Sequence, residues 1–109
     1  MNDRYYSNFF IAGFTYYDGI EVFEELKIGK ELRAVPEFDN RHDPNAVALY
    51  LGDYKLGFIP RSCNVQLSKF FKLGYDQLFD FRINRVIPDE HPEKQIGVLV
   101  RINPGKSSY

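Results

Sequence analysis

The chain is predicted to be mainly β, a small OB-like or SH3-like antiparallel β-barrel of about six strands with one or two short helices. Three observations predict this. Short segments alternate apolar and polar side chains with the period of two that puts every second residue on one face of a sheet. Gly, Pro, Asp and Asn recur between those segments at close spacing, as turns require. One stretch alone, Cys63, Leu67, Phe70 and Phe71, spaces its apolar residues by four, three and four, the repeat of a helix face. A run of short strands with one helix suits a sheet curled on itself, the helix covering an opening.

Taken in order, residues 1–8 are polar apart from two tyrosines and read as a flexible segment ahead of a single domain at 9–102. Residues 9–17 form an aromatic-rich strand broken by Gly13, which marks a bulge or bend. Asp18-Gly19 opens a connection in which residues 22–26 suit a short helix, and Ile28-Gly29 ends it. Residues 31–35 make a second strand that Pro36 ends. After a polar loop to Asn45, residues 46–51 and 54–59 form a hairpin about Gly52-Asp53. Pro60 closes it, Ser62 or Asn64 supplies a helix cap, and Gly74 stops the helix. Residues 79–87 and 96–102 alternate as two further strands across a loop holding Pro88 and Pro92, and 103–109 read as a flexible tail.

With 109 residues, 44% hydrophobic and 27% charged, the chain is long enough for one core and ordinary for a globular domain. Ten Phe and eight Tyr exceed what so small a core hides, so some rings are expected at the surface. A net charge of −1 offers no bulk positive field for duplex binding, and any nucleic-acid contact has to be local. The single Cys63 excludes an internal disulfide and fits a reducing compartment, the cytoplasm. There is no apolar run of membrane-spanning length and no apolar leader in MNDRYYSN, so neither membrane insertion nor export is expected.

The segment 37–49 turns within a few residues from a dense polar run to an apolar alternation, and a polar loop rooted on a strand is a natural binding site. Asp39, His42 and Asp43 are of the types that bind zinc or iron. The loop has no second histidine, however, and it fails a calcium-loop pattern because Arg41 takes a ligand position and Pro44 the turn glycine. Cys63 lies on the apolar helix face and reads as core, and Gly52 and Gly57 bracket a hairpin instead of a phosphate. The chain is therefore read as non-enzymatic, with no catalytic residue, metal or cofactor. Tyr16 and Tyr17, as strand neighbours, would point to opposite faces, so one of them meets solvent or a ligand. An exposed ring stacks on an unpaired base, and a half-buried tyrosine bonds the barrel rim; both readings stand. Asp39, Asn40 and Asp43 are equally the types that build a turn through backbone bonds.

Three segments, Gly-Phe-Thr-Tyr-Tyr-Asp-Gly at 13–19, E-x-D-N-x-x-D-P-N-A at 37–46 and Lys-Leu-Gly-Phe-Ile-Pro-Arg at 55–61, occur in an order that resembles the HIRAN domain. The resemblance covers about residues 9–102. It implies an OB-like architecture, found fused to helicases of replication-fork remodelling and as small stand-alone bacterial or phage proteins. It further implies binding of single-stranded DNA, with RNA the alternative, at a free 3′-hydroxyl end. The setting implied is DNA repair, replication or mobile-element processing, beside a helicase or nuclease acting in trans.

Carried over by position, Tyr16 matches an aromatic that stacks on the terminal base, and Asp43 a carboxylate that accepts a hydrogen bond from the 3′-hydroxyl. Asn40 matches a brace of the loop and Arg61 a basic residue facing phosphate. Tyr17, His42 and Phe58 complete the expected nucleic-acid-binding set. Three positions depart from the resemblance, with Thr15 in place of an arginine, His42 of a stacking tyrosine and Phe58 of a histidine. The alternative function is a protein-protein interaction or oligomerisation module, which weak charge and abundant aromatics also suit. A hydrolase acting through the acidic cluster stands third.

Overall fold

The computed structural model describes residues 4–104. Six antiparallel strands form one curled sheet in the order β1-β6-β5-β2-β3-β4. They are β1 (Tyr5–Phe10), β2 (Glu31–Pro36), β3 (Val47–Leu51), β4 (Tyr54–Phe58), β5 (Phe79–Val86) and β6 (Ile96–Ile102). A helix, α1 (Arg61–Lys72), follows β4. β2 is the strand on which the sheet bends, because Glu31 and Leu32 pair with β5 whereas Arg33 to Pro36 pair with β3.

The two outer strands meet at one point. Ala12, just past β1, donates its N–H to Phe58 O at 2.8 Å and accepts the Phe58 N–H at 2.9 Å. That approach needs a residue without a side chain opposite it. Gly57 has φ +144°, and a Cβ there would overlap Ala12 O.

The inward faces of the strands, with Ile11 just past β1, supply the core, and Ile11, Val47, Leu49, Leu56, Ile83, Val98 and Val100 are all fully buried. α1 adds Leu67 and Phe71, the latter packing on Phe79 and Phe81 with ring centroids 6.2 and 6.3 Å apart. Each such side chain stabilises the fold by about 1.5–3 kcal/mol through the apolar surface it removes from water.

The boundaries differ from expectation in four places, each with a local cause. Residues 5–8, expected as a flexible lead, belong to β1. They pair with β6, and Tyr6 packs edge-on against Phe79 at 5.1 Å. The remainder of that expected lead, residues 1–3, lies outside the described residues, as do 105–109 of the expected tail. Asn103, also expected in the tail, donates its N–H to Leu78 O at 2.7 Å and its side-chain amide to Gln77 O at 2.9 Å.

The strand expected at 9–17 stops at Phe10, because Gly13 adopts φ +71° and the chain turns into the short 3-10 helices Phe14–Tyr16 and Asp18–Glu25. The fourth difference lies at the start of α1, where Pro60 occupies the N-cap position and, among the described residues, no side chain caps. Proline tolerates that place since the first N–H groups of a helix lack partners in any case. Ser62 is exposed, and Asn64 is buried for another purpose. Among the described residues no helix is long and apolar enough to cross a membrane.

Candidate functional site

Where the sheet edges meet, the segment after β1, the polar loop, the end of β4 and the start of α1 enclose a cavity of about 340 Å³. Its walls include Tyr16, Tyr17, Asn40, His42, Asp43, Phe58 and Arg61, so the whole set expected from the sequence converges there. The reasons for this are local. Gly13 turns the chain so that Tyr16 and Tyr17 leave the sheet, and the hydrogen bond from Glu37 N–H to Ala46 O (2.9 Å) closes the base of the polar loop.

Within the loop, Asn40 Oδ1 accepts the N–H groups of His42 and Asp43 at 2.8 and 3.0 Å, while Nδ2 donates to Glu37 Oε1 at 3.1 Å. Asn40 is thus a brace, its amide oxygen and its amide nitrogen both bonded within the loop. Asp43 does more than build the turn. Its Oδ1 accepts the Asn45 N–H at 2.9 Å, and its Oδ2 accepts the side-chain amide of Asn64 at 2.8 Å and lies 3.6 Å from Arg61 Nε. Each carboxylate oxygen offers about two acceptor sites, so capacity toward the cavity remains. Burial pushes the Asp43 carboxyl up. The hydrogen bonds from Asn45 and Asn64 and the charges of Arg61 and Lys72 outweigh it and hold the group below the usual carboxylate value, hence ionised at neutral pH.

The aromatic wall has one fixed ring and one free ring. Tyr17 packs edge-on against Phe58 at 5.6 Å, and Lys55 Nζ lies over both rings at 4.7 and 4.5 Å. Lys55 is itself anchored by Glu37 Oε2 at 2.8 Å. Burial lowers its pKa, but that bond and the Glu37 charge raise it on balance. Tyr16, 83% exposed, makes no ring contact among the described residues. The expectation that the two tyrosines divide between opposite strand faces therefore fails, because this segment is a helical turn and both side chains reach the cavity. Arg61 donates to His42 O at 2.9 Å but leaves most of its guanidinium in solvent.

Thr15 and Asp39 are exposed and line none of this cavity. Among the described residues no three His, Cys, Asp or Glu side chains are grouped to hold a metal. Three residues that sequence reasoning did not assign to the site support it: Lys55, Asn64 and Glu93, whose Oε2 accepts the Gly13 N–H at 3.0 Å. Asn64 was legible in principle, since 64, 67, 68 and 71 form the buried stripe of α1 and a polar residue on such a stripe needs a partner. A larger open cleft of about 610 Å³, walled in part by Glu31, Arg33, Tyr50 and Asp76, lies along β2 and holds none of these residues.

The family model described as HIRAN domain matches residues 5–103. Among solved structures, one titled as the crystal structure of a protein from Lactobacillus plantarum superposes with a TM-score of 0.73 at 20% sequence identity, covering 93% of this chain and 96% of that one. At that identity the likeness is one of fold. No curated protein matches the chain.

Proposed function

The chain belongs to the HIRAN domain family, a family of nucleic-acid-binding domains, and from that premise we propose that its cavity receives the 3′ end of single-stranded DNA and reads the free hydroxyl. The observation that carries this reading is the Asp43 carboxylate, ionised and fixed by two hydrogen bonds at the cavity wall. An ionised carboxylate accepts a hydrogen bond from a hydroxyl and repels a terminal phosphate, so one group discriminates an open end from a blocked one. Tyr16 offers a free ring for the terminal base, worth about 1–3 kcal/mol in stacking. Tyr17 and Phe58 make a stiff apolar wall, and the exposed guanidinium of Arg61 faces solvent where a phosphate would lie.

Thr15 carries no charge, so Arg61 is the cation of the cavity wall. His42, whose ring is exposed, adds a second surface for stacking. The family is one of binding domains, and we read this member as non-catalytic and without cofactor. In the cytoplasm it would act on strand ends in repair, replication or mobile-element processing, beside a helicase or nuclease supplied in trans.

The test is fluorescence anisotropy with labelled single strands ending in a 3′-hydroxyl or a 3′-phosphate, a blunt duplex, and an RNA strand of the same sequence. The expected result is preference for the 3′-hydroxyl DNA strand, lost in Asp43→Ala and weakened in Tyr16→Ala. Equal binding of hydroxyl and phosphate ends would refute end recognition, and a concentration-dependent change in size without any strand binding would favour an interaction module.

A further inference from the structure

The cavity is not isolated. It shares Ala12 with a cleft of about 400 Å³ between β1 and the start of α1, and that cleft shares Asn8, Phe9 and Phe10 with a smaller one of about 100 Å³ beside β5. Pro60, in the second cleft, is flanked by Ile59 and Arg61 of the first, and Glu93 of the second bonds Gly13 of the first. The three thus adjoin in series through shared lining residues and lay out a path from the cavity that holds Asp43 to the cleft that holds Arg85. From these observations we infer that the path is the track of the same single strand, carrying the nucleotides 5′ of the bound end along β1, with Lys94 and then Arg85 receiving their phosphates. This rests on the end-binding reading above and sets the direction and length of the strand.

Charge and surface agree with this occupant. The middle cleft has an apolar floor, with Phe9, Phe10 and Pro60, suited to sugars and bases, and Lys94 on its rim. Among the described residues neither Lys94 nor Arg85 has an ion-pair partner, whereas Arg61, Lys55, Arg82 and Arg101 all do. Two cations without ion-pair partners, spaced along a groove that leads away from the hydroxyl-reading cavity, match a polyanionic chain. Glu93, the one acid on the middle wall, is occupied by the Gly13 N–H.

Arg85 is aimed by the fold. The β5–β6 register slips between Ile83 and Arg85, and such a bulge redirects the side chain that follows. The residue facing it is Gly97, where a Cβ would lie 2.9 Å from Asn84 Oδ1 and 3.0 Å from Arg85 Cβ. Its cation sits 5.9 Å from the Phe10 ring, at the mouth of the last cleft.

The experiment compares a dinucleotide with a strand of about six nucleotides, both ending in a 3′-hydroxyl, over a salt series. The longer strand is expected to bind roughly tenfold tighter. Lys94→Ala and Arg85→Ala are each expected to reduce its log–log salt slope by about 0.7 while leaving dinucleotide affinity unchanged. Lys27→Ala, an exposed lysine outside all three clefts, should change neither. Equal affinity for both lengths, or variants that weaken both alike, would overturn the track while leaving end recognition intact. Loss of any dependence on Asp43 or on the 3′-hydroxyl would overturn the end-binding reading instead, and the track with it.

Discussion

Asn64 Nδ2 donates to Asp43 Oδ2 at 2.8 Å, tying the first turns of α1 to the polar loop across 21 residues. Asn64 is 2% exposed, so its amide exchanges no partner with water, and the carboxylate it holds is oriented before any ligand arrives. Asn64→Ala is expected to cost about 1–3 kcal/mol in urea unfolding, the range for a lost buried partner of a charged group. It should also weaken the preference for a 3′-hydroxyl. A double-mutant cycle with Asp43→Asn should show a coupling above about 0.5 kcal/mol, and strict additivity would mean that the two groups do not act together.

The same carboxylate sets an acid limit. Burial raises the Asp43 pKa, but the hydrogen bonds from Asn45 and Asn64 and the nearby cations Arg61 and Lys72 bring it below its ordinary value. A folded-state value below the unfolded one makes ionised Asp43 stabilising above the unfolded value of about 3.9, and that stability is lost as pH falls through the folded value. The difference in unfolding midpoint between the natural chain and Asp43→Asn should hold constant from about pH 7 to about pH 5 and close only below about pH 4. A gap that closed between about pH 6 and pH 5 would show that burial, not hydrogen bonding, governs the group.

The two tyrosines should separate binding from stability. Tyr16 is mostly in solvent and touches no other ring among the described residues, so Tyr16→Ala should leave the melting temperature unchanged while weakening single-strand binding by about 1–3 kcal/mol. Tyr17 packs edge-on against Phe58 and lies under the Lys55 ammonium, so Tyr17→Ala should lower stability by about 1–2 kcal/mol as well as affinity. A large melting shift in Tyr16→Ala would mean that its ring is packed in solution.

The β content, the hairpin about Gly52-Asp53 and the helix before Gly74 were legible because periodicity and turn chemistry are local signals. The residues that line the cavity were legible as a set, because the three motifs could be matched in order, but their geometry was not. Periodicity could not foresee that Gly13 would replace a strand by a helical turn and so bring Tyr16 and Tyr17 to one cavity. Nor could it show the buried face of α1 rotated toward Asn64 and Ser68, since Cys63 and Phe70 fit an apolar stripe equally well. Lys55 and Glu93 act through partners 18 and 80 residues away, and such pairings exist only after folding.

Closure of the sheet depends on Gly57, and this gives a prediction that joins fold to site. The Ala12–Phe58 bridge holds the turn carrying Tyr16 against the strand end carrying Phe58, and Gly57 faces Ala12 at φ +144°. In Gly57→Ala the new methyl would overlap Ala12 O, and the backbone would be held where side chains rarely allow it, a strain of about 1–3 kcal/mol before the clash is counted. The chain relieves both by breaking the bridge. The melting temperature is expected to fall by about 10 °C or more, at about 4–8 °C per kcal/mol for a domain of this size. Hydrogen exchange at the Ala12 and Phe58 amides should accelerate beyond that of the β5–β6 ladder, and single-strand affinity should fall with it because the aromatic wall divides at this seam. Unchanged protection of those two amides would show that the bridge does not close the sheet in solution.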